Sequence, residues 1–490
     1  MPTGRLFNSS VIFSVVGSLV FISGLLMALC IPVSIYYEEN DLQAFIYSSV
    51  ITMSFGFALR FFNKKSKDDE IKKRDGFLIV ALGWIAMAIF GTLPYLLSAS
   101  ITEYTNAFFE TISGLTTTGA TILEDIESLP HALLFWRSLT QWIGGMGIIV
   151  LTIAILPLLG VGGMELFVAE APGPTKDKLH PRIKETAKRL WLIYLGLTLA
   201  QAILLKFAGL RFFDALNHAL TTMSSGGFST KNNSIAHFDS ALVEYIFIFF
   251  MICAGTNFVL LYFGIKLKFR KFLENDEFKW YMGALLFWVL LIVYFVYQAS
   301  PEKGIENAFR QSLFQVVSLV TTTGYTTANY LSWGTFVIFI FFLMLFSGAS
   351  AGSTSGGMKI VRIVLLMKNG LLEFKRRLHP NAVVQVQLNG RSVPSRIIYN
   401  VMAFFFTYLF FFVSGSLFLA FIGVDFITSI SAVATSITNV GPGLAGVGPT
   451  ENFANLPTSG KWMLSFLMLL GRLEIFTIAI LFTPFFWRKN

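Results

Sequence analysis

Charged residues are scarce in this chain. Only 13% of its 490 residues are Asp, Glu, Lys or Arg, whereas an ordinary soluble domain has about 25%. A soluble chain of this length would fold into about three domains and would need far more charge to cover their surfaces. The shortage excludes a cytosolic enzyme, a disordered scaffold and a nucleic-acid binder, in spite of the net charge of +9.

Cysteine and histidine are scarce as well. The two cysteines, Cys30 and Cys253, each lie in an apolar run and form neither a disulfide framework nor a metal cluster. None of the five histidines has a partner at metal-ligand spacing, and no nucleophile–base motif is evident. The sequence therefore predicts a protein that is not an enzyme and has no cofactor. A polytopic membrane enzyme is the alternative from a different class.

Hydrophobic residues, in contrast, make up 54% of the chain. A helix needs about 20 apolar residues to cross a bilayer. Ten runs qualify, the eighth of them interrupted: 10–36, 42–62, 76–98, 134–159, 188–209, 240–264, 280–298, 333–366, 396–422 and 460–486. The predicted fold class is therefore an all-α polytopic membrane protein.

The loops between these runs alternate in charge. Those that carry most of the lysine and arginine are 64–74, 176–189, 266–279 and 359–396. The alternate loops are acidic or polar, as at 38–41 and 124–127. Because lysine and arginine stay on the cytoplasmic side, the alternation predicts that both termini are cytoplasmic.

Four of the outward-facing segments share one pattern. Each is a half-length apolar run that begins with an aromatic residue and ends, fifteen positions later, in a glycine that closes a turn rich in small and hydroxyl side chains. The four segments are Tyr104–Gly119, Phe212–Gly227, Phe309–Gly324 and Phe426–Gly441. Since each lies between two long apolar runs, the sequence predicts a helix, re-entrant segment and helix, repeated four times.

These re-entrant turns suit a cation pathway. Irregular backbone is tolerated at bilayer depth only where protein buries it or where it lines a wet cavity. Bared carbonyls around one axis can replace the water shell of a cation, and the short helices direct their partially negative C-terminal ends to the same place. Ordinary external turns are the alternative interpretation, but four copies at matched offsets favour a pore.

A run of small residues interrupts the eighth apolar segment. Residues 347–357, here called the small-residue loop, read SGASAGSTSGG. Gly348, Gly352 and Gly356 are spaced by four, so one interpretation is a closely packed helix face. The other is a flexible loop that crosses the cavity and gates it.

Two basic residues lie close to this region of the predicted pore. Lys359 follows the loop, and we expect its side chain to extend to the cytoplasmic surface. Arg472 lies near the middle of the last apolar run. It is expected to be a positive barrier in the pore, an anchor for the loop, or the partner of a buried acid such as Glu474 of a neighbouring chain.

From about residue 76 to the C-terminus the sequence resembles the Trk/Ktr/HKT superfamily of potassium transporters. Residues 141–147 (QWIGGMG) and 356–359 (GGMK) support the resemblance, and the two earlier runs are similar to those of its TrkH/TrkG branch. The resemblance implies two N-terminal transmembrane helices plus four pseudo-repeated helix–pore-loop–helix units around a central pore. The implied boundaries are 1–75 for the pair and 76–160, 185–266, 278–378 and 394–490 for the units, with the loop at 347–357 in the third.

The resemblance also implies the site residues. The coordinating carbonyls would lie in four filter turns, Thr117-Thr118-Gly119, Ser225-Gly226-Gly227, Thr322-Thr323-Gly324 and Asn439-Val440-Gly441. The gate would involve Gly348, Gly352, Gly356, Gly357, Lys359 and Arg472. The fourth turn departs most from the pattern because Asn439 begins it and Pro442 follows it, which predicts imperfect fourfold symmetry.

The function implied is potassium uptake across a bacterial inner membrane, with K+ as the transported ion. The resemblance further implies a homodimer and a cytoplasmic, nucleotide-binding regulatory subunit of the TrkA type. Two alternatives share the pore architecture. One is the potassium-binding subunit of a pump, and the other is a sodium-permeable or cation-coupled symporter.

Overall fold

The computed structural model describes residues 7–63, 72–150 and 179–488. The end of the apolar run 134–159, the last part of the implied unit 76–160, and parts of the basic segments 64–74 and 176–189 lie outside the described residues. Within the described ranges the chain is helical except for connecting segments and one two-stranded sheet. The predicted all-α class is confirmed.

The N-terminal pair of helices is packed backbone to backbone. One arm is Ser9–Ala28 followed by Ile31–Tyr37, and the other is Leu42–Phe62. A Cβ atom on Gly56 would lie 2.5 Å from the backbone nitrogen of Phe21 and 2.7 Å from the carbonyl oxygen of Gly17. Small residues at such crossings let helices approach closely enough for van der Waals contact to hold them without water.

The order of the remaining helices is consistent with the predicted repeat. The first helix of each unit is long, and the four are Lys73–Gly91 with its extension Leu93–Leu97, Leu179–Phe207, Asp276–Ala299 and Ser395–Phe421. A half-length helix follows in each unit, and the four are Tyr104–Leu115, Phe212–Met223, Gly304–Val320 and Phe426–Thr438. These half-length helices end where the sequence places the filter turns.

The second helices differ among the units. They are His131–Val150 in the first, Ala241–Gly255 with Phe258–Ile265 in the second, Thr335–Leu345 with Ile360–Leu378 in the third, and Thr458–Arg472 with Ile475–Ala479 in the fourth. The remaining short helices are Arg270–Glu274 and Pro484–Trp487, together with 3-10 turns at Ser234–Phe238, Pro301–Lys303, Tyr330–Trp333, Ala445–Val447 and Ile480–Phe482.

Six described helices are long and apolar enough to cross a membrane, or eight if each bent pair is one span. Runs 240–264 and 460–486, which we expected to be continuous, bend by 113° and 116°. At the first bend Asn257 caps the next helix, its Oδ1 accepting from the backbone nitrogen of Val259 at 2.8 Å. At the second, Glu474 adopts a φ of 59°, which no right-handed helix contains. Run 333–366 is interrupted, as predicted.

A β-hairpin lies within the basic segment 359–396, where no strand was predicted. Strands Gln387–Leu388 and Arg391–Ser392 pair antiparallel, with Leu388 opposite Arg391. Asn389 and Gly390 both have positive φ, 51° and 72°, as a type I′ turn requires. The Asn-Gly dipeptide is a strong hairpin signal. The segment 359–396 was interpreted from its basic charge, and this signal was not used.

The close N-terminal crossing generates a stability prediction. Replacing Gly56 with Val should force the two helices apart and cost about 1–3 kcal/mol, as overpacking usually does. Gly283→Val is the matched control, because Gly283 is also in a membrane-length helix but a Cβ atom there meets nothing within 4 Å. Thermal unfolding in detergent, followed by size exclusion, should show a lower midpoint for Gly56→Val only. Equal midpoints would contradict the close-packing argument.

Candidate ion pathway

The four half-length helices end in the same hydrogen bond. In each, the middle residue of the filter turn donates its N–H to the carbonyl five residues earlier. The four bonds are Thr118 to Ser113 (2.9 Å), Gly226 to Thr221 (2.8 Å), Thr323 to Ser318 (2.9 Å) and Val440 to Thr435 (2.9 Å). This bond is the mark of a Schellman ending. The matched offsets read from the sequence therefore correspond to a matched backbone geometry.

The first residue of every filter turn is left-handed although none is glycine. The φ angles are 53° at Thr117, 56° at Ser225, 58° at Thr322 and 57° at Asn439. This conformation costs an ordinary residue about 1–2 kcal/mol. Its recurrence at one offset in all four units indicates that the surrounding structure imposes it.

Three of the four closing glycines share a backbone conformation that the fourth lacks. Gly119, Gly227 and Gly324 have φ of 80°, 78° and 81°, a region that residues with a Cβ atom rarely adopt. Gly441 is not among the described residues with positive φ, and Pro442 follows it. The departure of the fourth turn seen in the sequence is therefore also a departure in backbone conformation.

The four turns form a closed ring. A Cβ atom on Gly119 would collide with the carbonyl oxygen of Gly226, and one on Gly227 would collide with that of Thr323. On Gly324 it would lie 3.0 Å from the nitrogen of Gly441, and on Gly441 it would lie 2.9 Å from the carbonyl oxygen of Gly119. Each turn thus touches the next in chain order, and the fourth touches the first. The structure brings the twelve residues of the filter turns together.

The carbonyls of this ring are largely unpaired. The carbonyl oxygen of Gly226 accepts from Nε2 of Gln141 at 2.7 Å. Within the described part of the chain, no other carbonyl of the filter turns accepts a hydrogen bond. Since more than nine in ten buried backbone groups are normally paired, a ring of unpaired carbonyls marks a place that can receive a cation.

Side chains behind the ring hold its shape. Gln141 also accepts from the backbone nitrogen of Phe228 at 3.1 Å, so one amide bridges both sides of the second turn. The hydroxyl of Tyr325 lies 2.5 Å from that of Thr221 in the neighbouring unit. Nδ2 of Asn439 donates to the hydroxyl of Thr118 at 3.1 Å and joins the fourth turn to the first. Gln141 begins the motif at 141–147, but the sequence alone indicates no role for it.

A buried ion pair supports the first two units. Arg137 lies 2.8 Å from Oε1 of Glu110 through its NH2 group and also donates to the carbonyl of Ser229 at 3.2 Å. Both charged side chains are almost fully buried, at 1% and 0% exposed. The second carboxylate oxygen of Glu110 accepts from the backbone nitrogen of Ile122. This pair was not predicted from the sequence, although two opposite charges in one apolar unit were a usable signal.

The outer loops of the same two units are also joined. Nδ2 of Asn232 donates to Oδ1 of Asp125 at 2.9 Å, and its Oδ1 accepts from the backbone nitrogen of Ile126. The first of these bonds lowers the pKa of the Asp125 carboxyl. This exposed side chain therefore keeps its negative charge at neutral pH.

The small-residue loop is not helical, which excludes the packed-helix interpretation. The hydroxyl of Thr354 lies 2.9 Å from that of Ser225 in the second filter turn. The backbone nitrogen of Gly356 donates to the hydroxyl of Thr322 in the third at 2.7 Å. A Cβ atom on Gly356 would collide with the carbonyl oxygen of Thr438, next to the fourth. The loop therefore lies against three of the four turns.

The ends of the loop are close together. The backbone nitrogen of Gly348 donates to the carbonyl of Met358 at 2.8 Å. Gly352 and Gly357 have φ of 73° and 64°, so two of the predicted gate glycines occupy positions that favour glycine.

The bend in the second unit and the small-residue loop form hydrogen bonds with each other's backbone groups. Ser350 and Thr354 donate their N–H groups to the carbonyls of Gly255 (3.0 Å) and Ala254 (3.3 Å). In return, Phe258 donates its N–H to the carbonyl of Gly352 at 3.1 Å. Two broken segments can therefore lie at bilayer depth because each supplies the partners that the other lacks.

Arg472 has the geometry of an anchor. Its NH1 group donates to the carbonyl of Thr354 at 2.8 Å, and its NH2 group donates to that of Gly144 at 3.1 Å. Glu474 lies 2.6 Å from Arg362 of the same chain, so within this chain its carboxylate pairs with Arg362.

Lys359 corrects a second expectation. Its side chain does not extend to the cytoplasmic surface but is buried, with 9% exposed. The ammonium group donates to the carbonyl oxygen and, at 3.1 Å, to the hydroxyl of Ser355. These acceptors at the end of the loop explain why the Lys359 side chain turns inward.

Comparison with known proteins identifies relatives over nearly the whole chain. The family model TrkH, described as a cation transport protein, matches residues 41–489. The Trk system potassium uptake protein TrkH of Salmonella typhimurium is 43% identical over 97% of this chain and 98% of its own. The Trk system potassium uptake protein TrkG of Escherichia coli K12 is 37% identical, covering 96% and 97%. The crystal structure of the potassium transporter TrkH from Vibrio parahaemolyticus superposes with a TM-score of 0.89 at 38% identity, covering 98% and 99%.

The buried ion pair predicts a large structural effect. Glu110→Ala leaves the charge of Arg137 buried without its partner, which should cost about 3–5 kcal/mol. Glu274→Ala is the control, because Glu274 pairs with Arg270 in an exposed position. The yield of monodisperse protein and the unfolding midpoint should fall sharply for Glu110→Ala and stay near the unmodified value for the control. Unchanged stability of Glu110→Ala would show that the pair does not support the first two units.

Proposed function

The chain belongs to the TrkH family of cation transport proteins, and from this premise we propose that it takes up potassium through the four filter turns. It is an integral membrane protein and not an enzyme. We place it in a bacterial inner membrane with both termini cytoplasmic, which the alternation of basic loops supports.

The observation that carries the proposal is the closed ring of unpaired carbonyls. A potassium ion sheds its water when backbone oxygens replace the hydration shell. Each half-length helix ends within two residues of the start of its filter turn, so four partially negative helix ends lie beside the ring. The turns contain no acidic side chain, and main-chain oxygens therefore supply the coordination.

The direction of transport follows from the membrane potential. An inside-negative potential contributes about 2.3 kcal/mol per elementary charge per 100 mV. In this proposal the potential drives potassium inward through the ring.

The small-residue loop is the gate in this proposal. It contacts the second and third filter turns directly and crowds the fourth. Arg472 holds the carbonyl of Thr354 at its centre. Loss of that anchor releases the loop, and the pathway opens when the loop leaves the turns.

The proposal includes the four units and two partners. The units are 76–160, 185–266, 278–378 and 394–490, following the N-terminal pair 1–75. The relatives are named as proteins of a Trk system, which supports a partner subunit. We propose a homodimer that binds a nucleotide-sensing cytoplasmic subunit of the TrkA type, with the basic segment 359–396 as docking surface.

One observation favours a second candidate, a pathway that also admits sodium. Gly441 lacks the positive φ of the other three closing glycines, and Pro442 takes part in the seam between the third and fourth turns. An irregular ring coordinates less uniformly and discriminates less between ions. Rubidium and sodium uptake in a potassium-uptake-deficient cell, with and without the partner subunit, separates the two candidates.

The filter assignment predicts a selectivity change. Gly324→Ser should lower potassium-over-sodium selectivity by about tenfold, the effect of about 1.4 kcal/mol of disturbed coordination. Gly324 has a φ of 81°, and a Cβ atom would lie 2.8 Å from Cδ of Pro442. Competition of sodium against rubidium flux in proteoliposomes provides the measurement.

Gly334→Ser is the matched control for that variant. Gly334 also has a positive φ, 95°, but a Cβ atom there meets nothing within 4 Å. The control therefore bears the same kind of backbone strain away from the ring. Selectivity equal in the two variants would contradict the filter assignment.

The gate assignment predicts a change in flux. Arg472→Ala removes the hydrogen bond that holds the loop at Thr354, together with the one to Gly144. It should raise rubidium flux by about tenfold, since one charged hydrogen bond is worth about 1.5–3 kcal/mol. Arg472→Lys keeps the charge but loses the planar guanidinium with its two donor groups. If Arg472 is an anchor, Arg472→Lys should raise flux less than Arg472→Ala does. A rise with Ala and none at all with Lys would instead indicate a purely electrostatic barrier.

A further inference from the structure

A pair of acidic residues begins the first helix of the third unit, Asp276–Ala299. Oε1 of Glu277 accepts from the backbone nitrogen of Ala351, in the small-residue loop, at 2.6 Å. This carboxylate therefore binds the backbone of the loop from outside it.

The neighbouring carboxylate has a different partner. The backbone nitrogen of Asp276 donates to Oδ1 of Asn389 at 2.7 Å, and the backbone nitrogen of Asn389 donates to Oδ2 of Asp276 at 2.8 Å. Asn389 is the first residue of the hairpin turn. Lys368 adds to this junction, since its ammonium group lies 3.7 Å from Oδ2 of Asp276 and donates to the carbonyl of Gln387.

Neither acid is needed to begin the helix. The cap is Asn275, whose Oδ1 accepts from the backbone nitrogen of Phe278 at 2.8 Å. Acidic residues in a first turn do favour a helix through its dipole, but that effect does not require either carboxylate to bind another segment. Here one of them binds the loop and the other binds the hairpin.

We infer that Glu277 is a positioning residue that latches the small-residue loop against the filter turns, and that Asp276 and Asn389 connect this latch to the cytoplasmic hairpin. The inference rests on the proposed function, in which the loop is the gate. The hairpin is firmly seated, with Val386, Leu388 and Val393 each less than a tenth exposed. A displacement of the hairpin is therefore passed to Asp276, then to Glu277 in the same helical turn, and then to the amide of Ala351.

The latch is tested by rubidium flux in proteoliposomes of the full-length protein. Glu277→Ala should raise the maximal flux by about tenfold, the effect of losing one hydrogen bond to a charged group, without changing the rubidium concentration at half-saturation. Glu277→Gln keeps an acceptor oxygen and should give an intermediate rise. Glu274→Ala is the matched control, because Glu274 lies beside the same helix start but pairs with the exposed Lys271. Flux of Glu277→Ala equal to that of the control would overturn the latch.

The connection to the hairpin is tested by Asn389→Gly. Glycine keeps the positive φ of the turn and removes only the side chain that accepts from Asp276. Flux should rise, and combining this change with Glu277→Ala should raise it no further than Glu277→Ala alone. Rises that multiply in the double variant would mean independent effects and would overturn the connection.

Hydrogen exchange of the loop amides tests the latch independently of transport. Amides of residues 348–357 should exchange faster in Glu277→Ala and Glu277→Gln than in the Glu274→Ala control, at unchanged unfolding midpoints. Unchanged exchange there would overturn the latch whether or not the protein transports. If the unmodified protein carried no rubidium while exchange still accelerated, the transport proposal would fail and the latch would stand.

Discussion

Every backbone polar group at bilayer depth must find a partner inside the protein, and the rest of this structure depends on that constraint. Two second helices are bent by more than 110°, and a third is interrupted by eleven small residues. The bend at Gly255 and the small-residue loop exchange three backbone hydrogen bonds. Broken helices thus lie at the centre because each stabilises another.

The filter turns are an exception to the requirement that backbone polar groups be paired. Their backbone is strained, with four non-glycine residues in the left-handed region at one offset, and their carbonyls are left without partners in the described part of the chain apart from Gly226. Such a ring is stable only if the surrounding contacts impose it. Gln141, Tyr325 and Asn439 provide these contacts from behind, so the oxygens remain available to an ion.

Buried charges join the units that the ring brings together. Arg137 and Glu110 join the first unit to the second, and Arg362 and Glu474 join the third to the fourth. Arg472 binds backbone carbonyls of the first and third units. Breaking a buried pair is expensive because one charge then stays in a medium of low polarity. These residues therefore stabilise the assembly of units, and Arg472 also holds the loop in place.

The sequence alone determined the helical class and the interruption at 347–357 and predicted the four re-entrant segments, because these follow from local apolar periodicity, from glycine and from spacing. It also showed that the fourth turn is irregular, since Asn439 and Pro442 are visible in the chain. Only the tertiary structure decided the bends at 255 and 474, the burial of Lys359, the pairing of Glu474 with Arg362, and the contacts of Glu277 and Asn389. The pairing of Glu474 and the contacts of Glu277 and Asn389 join residues more than seventy positions apart, which a local pattern cannot reveal. The bends and the burial of Lys359 depend on which groups the packing of the units brings within hydrogen-bond distance.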